Sequence, residues 1–179
     1  MLTGELTNLR AVECDDAVLI HGWFDDPEAM SWWGNPTPVI SLHLLQQQLH
    51  IWLEDERTIG HPVGFIVATL DGEAVGFVLL SDLQPIDRNA ELSIVLDLAY
   101  RGQGLGGDAL ETLIAVAFDQ WGLHRLTARC EAVNERAHAF FQQHGFRLEG
   151  RLRDGRFVDG GWQDVLIFGR VREAGELDD

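Results

Sequence analysis

The segment AYRGQGLGGDAL, which begins at Ala99, contains four glycines within six positions and directly precedes an apolar helical pattern. Backbone N–H groups that glycines expose at the start of a helix form a binding site for a pyrophosphate. Arg101 adds a fixed positive charge and two hydrogen-bond donors that match a phosphate group. The segment is therefore the strongest candidate for a ligand-binding loop in the chain.

Two different patterns fit this loop. Gly102, Gly104 and Gly107 match the dinucleotide pattern G-x-G-x-x-G, whereas Arg101 with Gly104 and Gly106 matches another kind of anion loop. A dinucleotide-binding fold places its loop after the first strand, with an acidic residue about 20 residues further on. Here the loop lies past the middle of the chain and no acid closes the next strand at the expected distance, so the dinucleotide interpretation is weakly supported.

The elements around the loop predict a mixed α/β sheet in the order β-α-α-β-β-β-α-β-α-β-β. The dipeptide Asp71-Gly72 between two apolar runs indicates an antiparallel hairpin, and Ser41 can cap the second helix. After the loop, a helix is predicted with Gly122 at its end. Its apolar stripe comprises Leu110, Leu113, Ile114, Ala117, Phe118 and Trp121.

Two segments of the chain resemble the GNAT superfamily of acyl-CoA-dependent N-acetyltransferases. YRGQGLGGDAL is similar to motif A of that family, and NERAHAFFQQHGFRLEGRLRD is similar to its motif B, with Asn134 and Gly145 in register. LTNLRAVECDDAVLIHGW and IDRNAELSIVL resemble the subgroup that acetylates ribosomal-protein N-termini and spermidine. The similarity extends over residues 5–170.

The resemblance implies a GNAT fold, in which a mostly antiparallel sheet flanked by helices opens between its fourth and fifth strands. Acetyl-CoA would enter this opening as cosubstrate, with its pyrophosphate on the glycine loop and its pantetheine along the fourth strand. Asn134 would reach the cofactor from the opposite side. The alternative is that Asn134 serves as a helix cap and nothing else. The implied cofactor-binding residues are Ile94, Val95, Leu96, Arg101, Gly102, Gln103, Gly104, Leu105, Gly106, Asn134 and Phe141.

The implied catalytic residues are Glu91 and Asn134. Glu91 would bind the amine or deprotonate it through water, and its structural alternative is an exposed carboxylate or a partner for Arg88. The usual GNAT general acid is a tyrosine seven residues after the motif-B asparagine, where this chain has Phe141. Water, Ser93 or His138 are the candidate substitutes, and nothing in the sequence chooses between them.

The expected reaction is transfer of an acetyl group to a primary amine, such as a protein N-terminus, a polyamine or a small amine. Phe141 motivates an alternative, a catalytically weak acyl-CoA-binding sensor; an NAD-dependent oxidoreductase is less well supported. Trp33 and Glu91 are the two candidate substrate contacts. The acceptor itself cannot be read from the sequence.

A net charge of −16 disfavours partners that carry phosphate backbones or anionic lipid, and favours cationic ones. The seven histidines show no metal-ligand spacing, and Cys130 is expected in the core. We expect a cytoplasmic protein without a metal, bound neither to nucleic acid nor to a membrane, and a homodimer is left open. One domain is predicted over residues 1–172, followed by an acidic, disordered tail over residues 173–179.

Overall fold

Eight strands form one sheet in this computed structural model, which describes residues 1–24, 41–54, 60–158 and 160–173. The strands are β1 Leu2–Thr3, β2 Thr7–Ala11, β3 Val63–Thr69, β4 Ala74–Gln84, β5 Asn89–Leu96, β6 Arg125–Glu131, β7 Arg147–Val158 and β8 Gly161–Val171. The helices are α1 Ala17–Phe24, α2 Leu42–Glu54, α3 Leu105–Ala115 and α4 Glu135–Gln143. Across the sheet the strands run in the order β1-β2-β3-β4-β5-β6-β8-β7.

The predicted order of strands and α-helices is confirmed among the described residues, with the two-residue strand β1 as an additional strand. The hairpin predicted at Asp71-Gly72 joins β3 to β4, and the closing antiparallel pair is β7 and β8. Because β1 precedes the first predicted strand, the predicted fourth and fifth strands are β5 and β6. Part of the prediction lies outside the described residues, including Trp33 and residues 174–179 of the tail.

Helices cover both faces of the sheet. Neighbouring residues of a strand point to opposite sides, so each central strand contributes side chains to two separate cores. On β3, Val67 packs into a core with α3 and α4, while Ile66 packs into a second core with α1 and α2. On β4, Val78 packs into the first of these cores and Phe77 into the second. No helix in the described part of the chain is long and apolar enough to cross a membrane.

The helix after the glycine loop ends before Gly122, as predicted, but its last turn is not α-helical. Its α-helical part ends at Ala115, and Val116–Gln120 form a π-helical turn before Gly122, whose φ is +68°. The predicted apolar stripe is buried as far as Phe118. The prediction that Trp121 belongs to this stripe is wrong, because Trp121 is 41% exposed. The wider π turn changes the direction in which Trp121 points, and its ring stacks on Phe65 at a centroid distance of 6.3 Å.

Strands β5 and β6 are parallel and separate after a short paired segment. Their pairing comprises Asn89 with Arg125, Ala90 with Leu126, and Glu91 with Thr127, and it goes no further. Beyond Glu91, β5 remains paired with β4 on its other edge, and β6 continues beside β8. The predicted opening of the sheet between these two strands is thereby confirmed.

Asp108, in the first turn of α3, ties the N-terminal segment to that helix. Its carboxylate accepts hydrogen bonds from Glu5 N at 2.8 Å, Thr7 N at 2.8 Å and Thr7 Oγ1 at 2.6 Å. Burial alone would raise the pKa of Asp108, but these hydrogen bonds outweigh it and hold the pKa below its usual value. The sequence motif that contains Asp108 thus also anchors residues 4–7 beside the loop.

We expect Asp108→Asn to lower the free energy of unfolding by about 1–3 kcal/mol at pH 7, because an amide turns a donor towards N–H groups that need an acceptor. The folded-state pKa is depressed, so this stability is present above the unfolded pKa of about 4 and is lost as pH falls through the lower value. Urea denaturation at pH 7 and at pH 3 measures both effects. Asp87→Asn, in an exposed turn, is the matched control. If the free energies of unfolding of the wild type and Asp108→Asn differed by the same amount at pH 7 and at pH 3, the proposed role of the ionised carboxylate would be contradicted.

Candidate active site

A cleft of about 1130 Å³ opens beside the separated end of β5. It is bounded by β5, by the glycine loop with the start of α3, by the outer side of α4 and by the N-terminal segment. Of the predicted cofactor-binding residues, it brings together Ile94, Val95, Leu96, Arg101, Gly102, Gly104 and Gly106. A long, narrow ligand with an anionic part fits this combination of an open strand edge and a helix start.

The glycine loop turns directly into α3 because Gly104, its N-terminal cap, adopts a φ of +85°. The first hydrogen bond of the helix joins Asp108 N to Gly104 O, so the amides of Leu105, Gly106 and Gly107 have no acceptor within the helix. Such amides, at the positive end of the helix dipole, bind anions.

Two side chains shape the loop on the side of β5. Arg101 Nε donates to Leu96 O at 2.8 Å, and Gln103 Nε2 donates to Ala99 O at 2.9 Å. The Arg101 backbone amide donates to Leu98 O at 3.4 Å. The guanidinium is thereby held at the point where the strand ends and the glycine loop begins.

The opposite wall is formed where α4 ends against α3. A Cβ on Gly107 would lie 2.8 Å from the His144 ring, so any other residue there would force this ring to move. His144 Nδ1 lies 2.9 Å from Glu111 Oε1, and Arg170 Nη1 donates to both Glu111 oxygens. This charged network stiffens the wall of the cleft.

Helix α4 begins at Asn134, whose side-chain oxygen accepts from Ala137 N at 3.0 Å. Phe141 is 2% exposed and packs edge-on against Phe146 and at a tilt against Phe168. Asn134, His138 and Phe141 follow the i, i+4, i+7 spacing of one helix face. Neither Asn134 nor Phe141 lines the cleft as it stands, and their assignment to cofactor binding stays a prediction.

His138 packs its ring on Phe168 at a centroid distance of 5.3 Å. Its Nε2 is buried and has no hydrogen-bond partner in the part of the chain that the structure describes. Ser93, the other predicted substitute for the missing tyrosine, lies on β5 opposite Leu79. The packing of His138 on Phe168 and the position of Ser93 opposite Leu79 do not favour either residue as the proton donor.

Glu91 lies at the vertex of the opening, as the last residue of β5 that pairs with β6. Its side chain is 23% exposed, and its Oε2 forms an ion pair with Arg129 Nε at 3.1 Å. Burial raises the pKa of Glu91, and the charge of Arg129 acts in the opposite direction. The predicted alternative, an ion pair between Glu91 and Arg88, is wrong. Arg129 points across the vertex and pairs with Glu91 instead.

Cys130 is buried on β6, and burial raises the pKa of its thiol to about 11. Its predicted place in the core is confirmed. Across the described ranges, no three His, Cys, Asp or Glu side chains are grouped so that they could hold a metal ion.

Sequence reasoning missed two interactions that support this site. Asp108 stands inside the glycine motif, but nothing in the spacing indicates that it would bind Thr7. Arg129 lies 38 positions after Glu91, and alternation along β6 shows only that it points away from the core. Both contacts depend on which strands become neighbours.

The comparison with protein families matches residues 7–147 to a family described as the acetyltransferase (GNAT) domain. The ribosomal-protein-serine acetyltransferase of Escherichia coli is 28% identical over 104 residues, which are 58% of this chain and 58% of that protein. The spermidine N(1)-acetyltransferase of Vibrio cholerae is 28% identical over 166 residues, which are 92% of this chain and 91% of that protein.

Among solved structures, the Vibrio cholerae spermidine N-acetyltransferase in complex with CoA and spermine superposes with a TM-score of 0.84. Its sequence identity is 25%, and the match covers 92% of this chain and 95% of that chain. A further structure of the Vibrio cholerae enzyme, with a TM-score of 0.79, is described as dodecameric.

Proposed function

We propose a specific reaction for this chain, which belongs to the family of GNAT acetyltransferases: it transfers the acetyl group of acetyl-CoA to a primary amine by direct attack. In this step the amine nitrogen forms a bond to the carbonyl carbon, the C–S bond breaks, and the amine loses a proton while the thiolate leaves. The single observation that carries the proposal is the cleft, where an open strand edge meets the start of α3.

For the donor, we propose that the amides from Gly102 to Gly107 hold the pyrophosphate, together with Arg101. The pantetheine would lie along β5, whose residues 92–96 pair with no strand of the described ranges on the side of β6. Backbone N–H groups near Val95 and Leu96 would polarise the thioester carbonyl, as donors in an oxyanion hole do. Supporting observations are the unpaired strand edge and the orientation of the helix start.

For catalysis, we propose Glu91 as the residue that receives the amine. An ammonium group has a pKa of about 10 and must lose a proton before it attacks. Glu91 lies at the vertex of the opening, and its Oε2 is paired with Arg129, while Oε1 has no hydrogen bond from any residue that the structure describes. It can therefore accept one from the acceptor, directly or through water.

For the acceptor, the proposal covers a polyamine, a small amine or a protein N-terminus. The name of the Vibrio cholerae relative supports a polyamine, and the name of the Escherichia coli relative supports a protein serine. The net charge of −16 favours a cationic acceptor in either case. The proposal further includes a cytoplasmic location and assembly into a homo-oligomer.

The test is a ligand panel followed by an amine panel. We expect acetyl-CoA and CoA to raise the unfolding temperature and NAD to leave it unchanged; a ligand at 100 times its Kd stabilises by about 2.7 kcal/mol. Release of CoA thiol is then measured with spermidine, spermine and a peptide that begins with serine. Stabilisation by NAD alone would contradict the proposal, and CoA binding without turnover of any amine would favour the sensor alternative.

A pair of glycine variants checks where the donor binds. Gly104→Ala places a side chain at a φ of +85° in the loop, whereas Gly72→Ala does so at +92° in the β3–β4 hairpin. We expect both variants to lose stability but only Gly104→Ala to lose the thermal shift with CoA. Equal CoA shifts in the two variants would contradict the loop as the pyrophosphate site.

A further inference from the structure

Opposite charges alternate across the sheet face that carries Glu91. Arg129 lies on β6 two residues beyond Thr127, the last residue of that strand to pair with β5. Its guanidinium nevertheless reaches back to Glu91 Oε2 at 3.1 Å. Further along the same face, Arg156 of β7 lies 3.2 Å from Glu131 of β6. The ion pair of Glu91 thus spans the gap at the point where the two strands separate.

We propose that Arg129 is a positioning residue for acetyl transfer: its guanidinium holds the Glu91 carboxylate at the vertex of the opening and keeps it ionised. This inference rests on the proposed function, in which Glu91 receives the acceptor amine. Arg129 Nε is paired with Oε2, and in this proposal Oε1 receives the ammonium group or a water molecule. The amine therefore joins the ion pair and does not have to displace Arg129.

The charges around Glu91 explain why Arg129 is needed. Burial of the Glu91 carboxyl favours its neutral form, and Asp82 of β4 acts in the same direction. Arg129 of β6 and Arg156 of β7 favour the ionised form, and Arg129 has the larger effect of the two. Arg156 is already paired with Glu131, which leaves Arg129 as the principal support of the negative charge.

The test compares Arg129→Gln with the wild-type protein in two measurements. The titration of the Glu91 side-chain carboxyl is followed by carbon-13 NMR, with Glu91→Gln to assign the signal. We expect the midpoint to rise by about one pH unit, the lower end of the effect of a neighbouring opposite charge. The acid limb of kcat/KM for the amine moves in the same direction, and Arg129→Lys returns both towards the wild type.

Arg88→Gln is the matched control, since Arg88 is nearer to Glu91 in sequence but does not pair with it. Unchanged titration in Arg129→Gln, or failure of Arg129→Lys to restore it, would overturn the inference. A wild-type protein that turns over no amine would overturn the proposed function instead. In that case the NMR titrations still decide whether Arg129 controls the charge of Glu91.

Discussion

Glu91→Gln is expected to reduce kcat/KM for the amine by about 10²- to 10⁴-fold, the range that one general base contributes. The amide keeps the size of the side chain but removes the negative charge that would attract the ammonium and accept its proton. Glu91 lies outside the lining of the cofactor cleft, so the thermal shift with acetyl-CoA should remain that of the wild type. Steady-state kinetics and thermal unfolding measure the two effects separately.

The stability of Glu91→Gln is expected to be no lower than that of the wild type at neutral pH. The pKa of Glu91 is raised in the folded state, so ionisation opposes folding as pH rises through that value. The partner Arg129 is 48% exposed and remains solvated when the carboxylate is removed. An ionised carboxylate whose burial opposes folding is typical of a functional site.

The pH profile of the wild type follows from the same shift. Activity should fall on the acid side as Glu91 is protonated, at a pH above the ordinary carboxyl value. Glu149→Gln is the matched control, because Glu149 pairs with Arg125 where β5 and β6 are still joined. If the loss of activity in the two variants were equal, Glu91 would have no particular role.

Phe141→Tyr is expected to raise kcat by up to about 10²-fold at saturating substrates, the lower end of the contribution of one general acid. Phe141 stands where the resemblance implies a tyrosine, one turn beyond His138 on the helix face that begins at Asn134. A phenol there would give a proton to the leaving thiolate. A thiol has an ordinary pKa of about 8.5, so a thiolate can leave without a proton donor.

The same substitution should lower the free energy of unfolding by about 1–3 kcal/mol if its hydroxyl is left without a partner. Phe146→Tyr is the control, since Phe146 is equally buried and packs edge-on against Phe141. We expect the control to lose stability without any gain in kcat. An unchanged kcat in Phe141→Tyr would show that this ring only fills the core between α4 and β8.

Much of the fold was predictable because it depends on neighbours in sequence. The turn at Asp71-Gly72 and the helix cap at Asn134 are decided by local backbone preferences, and both are present as expected. The exposure of Trp121 was not predictable, because a π-helical turn at Val116–Gln120 depends on contacts from elsewhere. Arg172 supplies one of them, with Nη1 donating to Phe118 O at 2.5 Å.

By itself, the sequence determined the order of the strands and α-helices, the glycine loop from Arg101 to Gly107 at the start of a helix and the buried place of Cys130. These features follow from short-range spacing, which limits backbone conformation and side-chain direction. Only the tertiary structure decided that Glu91 pairs with Arg129 and that Asp108 holds Thr7. Each of these contacts joins residues far apart in the chain, so it exists only once the strands and helices have taken their places beside one another.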